Sequence, residues 1–151
     1  TAYEIKECDW SSDVCSSDLG PDVAEALSGW KPVRAVFGNI DDQVIREQFP
    51  EHFRTTAEGV RVWMTHIGGA PPRYLPAIRK LMDADRPDIF ICGHSHITRA
   101  YRDPDRGNLL YLNPGAAGHQ GFHRMRTAMR LQLENGKIKN LEVIELGLRG
   151  R

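Results

Sequence analysis

The stretch Ile89-Phe90-Ile91-Cys92-Gly93-His94-Ser95-His96 constrains the fold of this chain more than any other. A short apolar run bounded by Pro87 and Gly93 reads as a fully buried strand, of the kind found inside a parallel sheet covered on both faces. Two histidines follow at once, where such a strand would leave the sheet, and open α/β sheets keep their chemistry at that edge. A turn there lets imidazoles at i and i+2 point into one crevice, toward one metal or two neighbouring metals. The competing reading is a polar loop that happens to hold two histidines.

Two earlier segments end in the same manner. Pro32-Val33-Arg34-Ala35-Val36-Phe37 reads as a buried strand closed by Gly38-Asn39, with Asn39 at its tip and Asp41 expected to cap a helix from Asp42 to Phe49. His52–Thr56 and Val60–Thr65 read as two strands around Glu58-Gly59. The second ends in His66-Ile67-Gly68-Gly69, whose glycines argue for close backbone approach. His52 has no such setting and is expected to be structural.

The connecting elements follow from periodicity and punctuation. Asp22–Leu27 is a short helix-forming run, and Pro72–Met82 a helix with Tyr74, Leu75, Ile78 and Leu81 as its apolar stripe, stopped by Pro87. Arg99–Arg102 is a strand, Asp103–Gly107 a turn, and Leu109–Leu112 another apolar strand that runs into Asn113-Pro114-Gly115. Thr127–Leu133 and Ile138–Leu146 read as a hairpin closed by Asn135-Gly136.

Residues 1–19 do not share this logic. Cys8–Leu19 has neither helical nor strand periodicity, and its back-translation is compatible with a common short-read sequencing adapter. Thr1–Glu4 fits the outer part of the same adapter in the same frame. Residues 1–19 are therefore expected to be translated adapter and are set aside from the fold. The whole chain is formally neutral; the remainder carries 19 basic and 15 acidic residues, an excess of four positive charges. That excess is compatible with anionic substrates, but no basic aromatic surface indicates nucleic acid. No apolar run is long enough to span a bilayer. Cys92 alone remains of three cysteines, so no disulfide framework is expected and a cytoplasmic setting is.

Helix crossovers would bring the four tips to one sheet edge if their strands run the same way. One amide oxygen and three imidazoles, without cysteine, suit manganese, iron, nickel, zinc or magnesium. Gly38-Asn39-Ile40-Asp41, Thr65-His66-Ile67-Gly68, Gly93-His94-Ser95-His96 and Asn113-Pro114-Gly115, in this order, resemble the calcineurin-like metallophosphoesterases, within them the small bacterial and archaeal phosphodiesterases. The resemblance covers residues 20–151 as a single domain. It implies an α/β fold of two β-sheets sandwiched between helices, two divalent metal ions at one edge, and Asn39, His66, His94 and His96 as metal ligands. The family also opens with a strand carrying Asp-x-His and a bridging aspartate. No Asp-x-His occurs in this chain, so the expectation is that the first strand is missing and was replaced by residues 1–19.

The function implied is metal-dependent hydrolysis of a phosphodiester by an activated water, in the intact parent rather than in the fragment. The alternative is a non-catalytic scaffold of the same fold, resembling the retromer scaffold subunit. Many relatives carry a proton-donating histidine after the motif asparagine; Ile40 holds that place here, so no side-chain general acid is assigned. His119 and His123, just beyond Asn113-Pro114-Gly115, are candidates for contact with the substrate phosphate, against the reading of an exposed loop.

Overall fold

The computed structural model describes residues 3–4, 25–26, 29, 33–119 and 121–150. Residues 5–19, and with them most of the stretch set aside as adapter, lie outside the described residues, as do most of the expected helix Asp22–Leu27 and Pro32. Glu25 and Ala26 are helical, and Gly29 N–H donates to Glu25 O at 3.0 Å.

The strands are β1 (Tyr3–Glu4), β2 (His52–Ala57), β3 (Val60–Thr65), β4 (Gly69–Ala70), β5 (Arg73–Tyr74), β6 (Ile89–Cys92), β7 (Arg99–Asp103), β8 (Leu109–Asn113), β9 (Met125–Glu134) and β10 (Lys137–Leu148). The helices are α1 (Gln43–Gln48) and α2 (Pro76–Ala84), with a 3-10 turn at Pro104–Arg106. Among the described residues, a five-stranded mixed sheet runs in the order β2-β3-β6-β8-β7, and a three-stranded sheet in the order β1-β9-β10. In the larger sheet β3, β6 and β8 are parallel, and β2 and β7 close its edges antiparallel. Tyr3 and Glu4 pair with Leu133 and Gln132 of β9.

The apolar runs of β6 and β8, and the apolar residues of β3 beside them, are explained by cover on both faces. Val60, Val62, Met64, Ile89, Ile91, Leu110 and Leu112 meet Met129, Leu131 and Leu133 of β9 between the sheets. The alternate residues Trp63, Phe90, Cys92, Leu109 and Tyr111 pack on the other face against Tyr74, Ile78 and Met82. The period of two in a strand produces this division. Each fully buried large side chain here contributes about 1.5–3 kcal/mol. β9 has only its inner face covered, so Thr127, Met129, Leu131 and Leu133 are buried while Arg130, Gln132 and Glu134 are exposed. The β2–β3 and β9–β10 hairpins close on successive left-handed residues, Glu58-Gly59 and Asn135-Gly136, which match the twist of the paired strands.

Three local expectations are corrected. Val33–Gly38 joins no ladder: Phe37 N–H donates to Pro50 O at 3.1 Å, and both edges of β3 are taken by β2 and β6. Its apolar content reports burial instead, with Ala35 buried and Val36 packed against the inter-sheet core. The cap of α1 is Asp42, whose Oδ1 accepts from Ile45 N at 3.0 Å, while Asp41 turns back and accepts from Gly38 N at 2.6 Å. Residues 69–74 form the small β4–β5 hairpin rather than the first turn of α2, so the helix starts later. Its buried face is then Ile78 and Met82, four residues apart, while Leu75 and Leu81 are exposed.

Candidate functional site

Because β3, β6 and β8 are parallel, the residues that follow them leave the sheet at one edge. His66 follows β3 and is buried; the Gly93–His96 turn follows β6; Asn113 is the last residue of β8. Gly93 N–H donates to His66 O at 3.0 Å, which ties the first two tips together.

His66 Nε2 lies 2.9 Å from Asn39 Oδ1 and 3.2 Å from His94 Nδ1, with the two imidazole rings nearly perpendicular at 85°. Asn39 reaches this point from a loop rather than from a strand tip. Its loop is held by Asp41 accepting from Gly38 N and by Arg46, which donates to the carbonyls of Gly38, Asn39 and Asp41 at 2.8–3.1 Å and stacks over Phe37 at 4.7 Å. Sequence reasoning missed Arg46. Its signal was present in the spacing, since a basic residue in the last turn of a short helix can reach back over the preceding loop.

The three donor atoms form a junction at which one nitrogen of His66 faces two partners. An imidazole nitrogen carries in its plane either one proton or one lone pair. His66 Nε2 faces both Asn39 Oδ1 and His94 Nδ1, so one proton or one lone pair has two partners. A cation at the junction would accept a lone pair from all three. Neighbouring ligands of one cation, bound at about 2.0–2.1 Å, stand about 3 Å apart, which is the spacing observed here. One amide oxygen and two imidazole nitrogens fit a borderline divalent ion. Among the described residues no three His, Cys, Asp or Glu side chains come together as one such group, and the amide of Asn39 supplies the third donor.

His94 and His96 both occupy the left-handed region, at φ 65° and 56°. Each such non-glycine residue costs about 1–3 kcal/mol and persists only where its surroundings hold it. His96 is buried and lies edge-on to His123, with ring centroids 5.4 Å apart. Gly121 lies against both rings: a Cβ there would stand 2.7 Å from His96 Nδ1 and 3.1 Å from His123 Nδ1. Of the five histidines singled out from the sequence, His66 and His94 thus meet beside Asn39, His96 meets His123, and His119 stands exposed on the loop. His123 is tied to Gly118 O at 3.1 Å. His52 packs edge-on against Trp63 at 5.6 Å, a packing contact away from these groups.

Asn113 is buried under the turn. Its Nδ2 donates to Gly93 O at 3.1 Å and to Ser95 Oγ at 3.0 Å, and its Oδ1 accepts from Gly115 N at 3.0 Å. Gly115, at φ 84°, admits no side chain, since a Cβ would lie 2.1 Å from Thr127 Oγ1 and 2.4 Å from Thr98 Oγ1. On the α2 side of the sheet, Cys92 donates to Tyr111 OH at 3.3 Å, and that hydroxyl donates to Gly69 O at 3.2 Å. Burial, with Cys92 adding to it, pushes the Tyr111 phenol well above the ordinary tyrosine range, so it remains a neutral donor.

Comparison with known proteins agrees with this architecture. A predicted phosphoesterase from Streptococcus pneumoniae is similar at a TM-score of 0.65 and 19% identity, over 96% of this chain and 90% of its own. An archaeal phosphodiesterase is similar at a TM-score of 0.60 and 20% identity, over 87% and 77%. Vps29 from Entamoeba histolytica, complexed with zinc, is similar at a TM-score of 0.58 and 17% identity, over 83% and 76%. At these identities the likeness is one of fold. No curated protein matches the chain. The model of the calcineurin-like phosphoesterase superfamily domain matches residues 2–136, and with its two-sheet fold and its single edge of parallel strand tips the chain belongs to that superfamily.

Proposed function

We propose that the protein hydrolyses a phosphodiester with the help of divalent metal ions, and that Asn39, His66, His94 and His96 are its metal ligands. The observation that carries this reading is the junction of Asn39 Oδ1, His66 Nε2 and His94 Nδ1, three lone-pair donors within 3.2 Å of one another through His66. Bound there, divalent ions supply Lewis acidity and a water acidified enough to attack phosphorus. His66, buried at the end of β3, sets the position of the junction; Asn39 adds a neutral oxygen, so the pocket keeps a net positive character toward an anionic ester once filled. His96, buried beside His123, would serve a second ion position. His123, beside His96, is proposed as a contact to the substrate phosphate, as is His119 on the same loop. Manganese, nickel, iron, zinc and magnesium all fit the donor set.

The archaeal phosphodiesterase and the Streptococcus pneumoniae phosphoesterase support a hydrolase. The likeness to Vps29 supports a second reading, a non-catalytic scaffold that keeps a metal-binding edge. Turnover separates the two. The protein is expected to hydrolyse an aryl phosphodiester only with added divalent metal, and His94→Ala is expected to abolish that activity. Full turnover in excess chelator would refute the metal-dependent reading; metal binding without turnover would favour the scaffold.

A further inference from the structure

We infer that Asn113 is a positioning residue, whose two donated hydrogen bonds hold the Gly93–His96 turn in the left-handed form that carries His94 to His66. The turn's own hydrogen bond is short in span. Ser95 N–H donates to Gly93 O at 2.8 Å, a contact across two residues, while His94 and His96 on either side both sit at positive φ. Without an outside partner, His94 and His96, neither of them glycine, would leave this region for the broad basins that L-residues prefer. Asn113 supplies an outside partner from a rigid place, the end of β8, held on one side by β6 and on the other by β7. The chemistry of its amide suits that role. Nδ2 has two protons and gives both to the turn, at Gly93 O and Ser95 Oγ, while Oδ1 accepts Gly115 N–H and so fixes the amide's own rotation. Asparagine is the short side chain that can do all three. Aspartate can make the bond to Gly115 but donates nothing, and would set a carboxylate oxygen against Gly93 O.

The consequence for function rests on the metal-centre reading above; the consequence for conformation does not. A ligand held by such an outside hydrogen bond typically loses 10–100-fold in metal affinity when that bond is removed. The variant Asn113→Asp keeps the acceptor for Gly115 and removes both donated bonds. Ser95→Ala removes one of them at an exposed residue and guards against misfolding of the buried variant. Two readouts are made on the full chain: the nuclear Overhauser contact between the His66 and His94 rings without metal, and cobalt(II) affinity with its visible spectrum. The expected result is loss of the ring contact in Asn113→Asp, a 10–100-fold weaker cobalt affinity with an altered spectrum, and a smaller fall in Ser95→Ala. A folded Asn113→Asp with the ring contact intact, or a Ser95→Ala with an unchanged ring contact and cobalt affinity where Asn113→Asp does not fold, would overturn the inference. Loss of the ring contact on Asn113→Asp, with no cobalt bound by the unsubstituted chain, would instead sustain the positioning role and refute the metal centre.

Discussion

Gly68 is expected to tolerate no methyl group, and the structure gives the reason in atoms. It lies two residues beyond His66, and a Cβ added there would stand 2.6 Å from Phe90 Cζ, 2.7 Å from Phe90 Cε1 and 3.1 Å from Cys92 Cβ. Carbon atoms in favourable contact are about 3.5–4.0 Å apart, so the overlap is on the order of 1 Å. The ring has no room to retreat. Phe90 is fully buried and wedged among Trp63, Tyr74 and Tyr111, with ring centroids at 5.0, 6.0 and 6.3 Å. Overpacking of a rigid core costs about 1–3 kcal/mol, and with a urea slope of about 1–3 kcal/mol per molar the midpoint of Gly68→Ala should fall by roughly 1 M. The cause is isolated by a double-mutant cycle, since Phe90→Leu removes the two ring atoms that collide. Gly68→Ala should therefore be less damaging in the Phe90→Leu background, with a coupling of about 1 kcal/mol or more. A Gly68→Ala protein within about 0.5 kcal/mol of the unsubstituted one, or a cycle with no coupling, would refute the steric argument.

At the opposite end of β6, the Arg61 side chain donates to Asp88 at 2.9 and 3.1 Å, and these hydrogen bonds hold the Asp88 carboxyl below its ordinary value of 3.8. A depressed carboxyl stabilises the fold above its unfolded value and loses that contribution as pH falls through the folded one. Asp88→Asn should therefore lower the denaturation midpoint near neutral pH, and the difference should shrink progressively in acid as pH falls below 3.8; an equal difference at both ends would sink the assignment. Both side chains are about half exposed, so the effect is small. Alanine at His119 and His123 together should raise the KM for an aryl phosphodiester, and His123→Ala alone should account for it, because His123 and not His119 lies against His96. Unchanged turnover and affinity in the double variant would remove both residues from the substrate site.

What the sequence determined by itself was the set of segments that must be buried and the edge at which their polar tips emerge. Apolar runs at Ile89–Cys92 and Leu109–Leu112 can be buried on both faces only inside a covered parallel sheet, and the turn pairs Glu58-Gly59 and Asn135-Gly136 specify hairpins through their left-handed backbone. Those signals are local, and each held. The glycines after His66 also indicated close approach, to what became the Phe90 ring. Pairing and direction are not local. The run Val33–Phe37 carries the composition of a strand but joins no ladder, and its apolar residues report burial against the inter-sheet core instead, where Ala35 is buried and Val36 packs. Leu75 and Leu81 match a helical stripe, yet the small hairpin before α2 sets where the helix begins and so which face it buries. In the site, the motif Gly93-His94-Ser95-His96 announces two imidazoles but not their targets. Two left-handed residues in one turn send His94 to His66 and His96 to His123, and that choice depends on Asn113, Gly121 and neighbouring strands distant in sequence, which act only once the tertiary fold has brought them together.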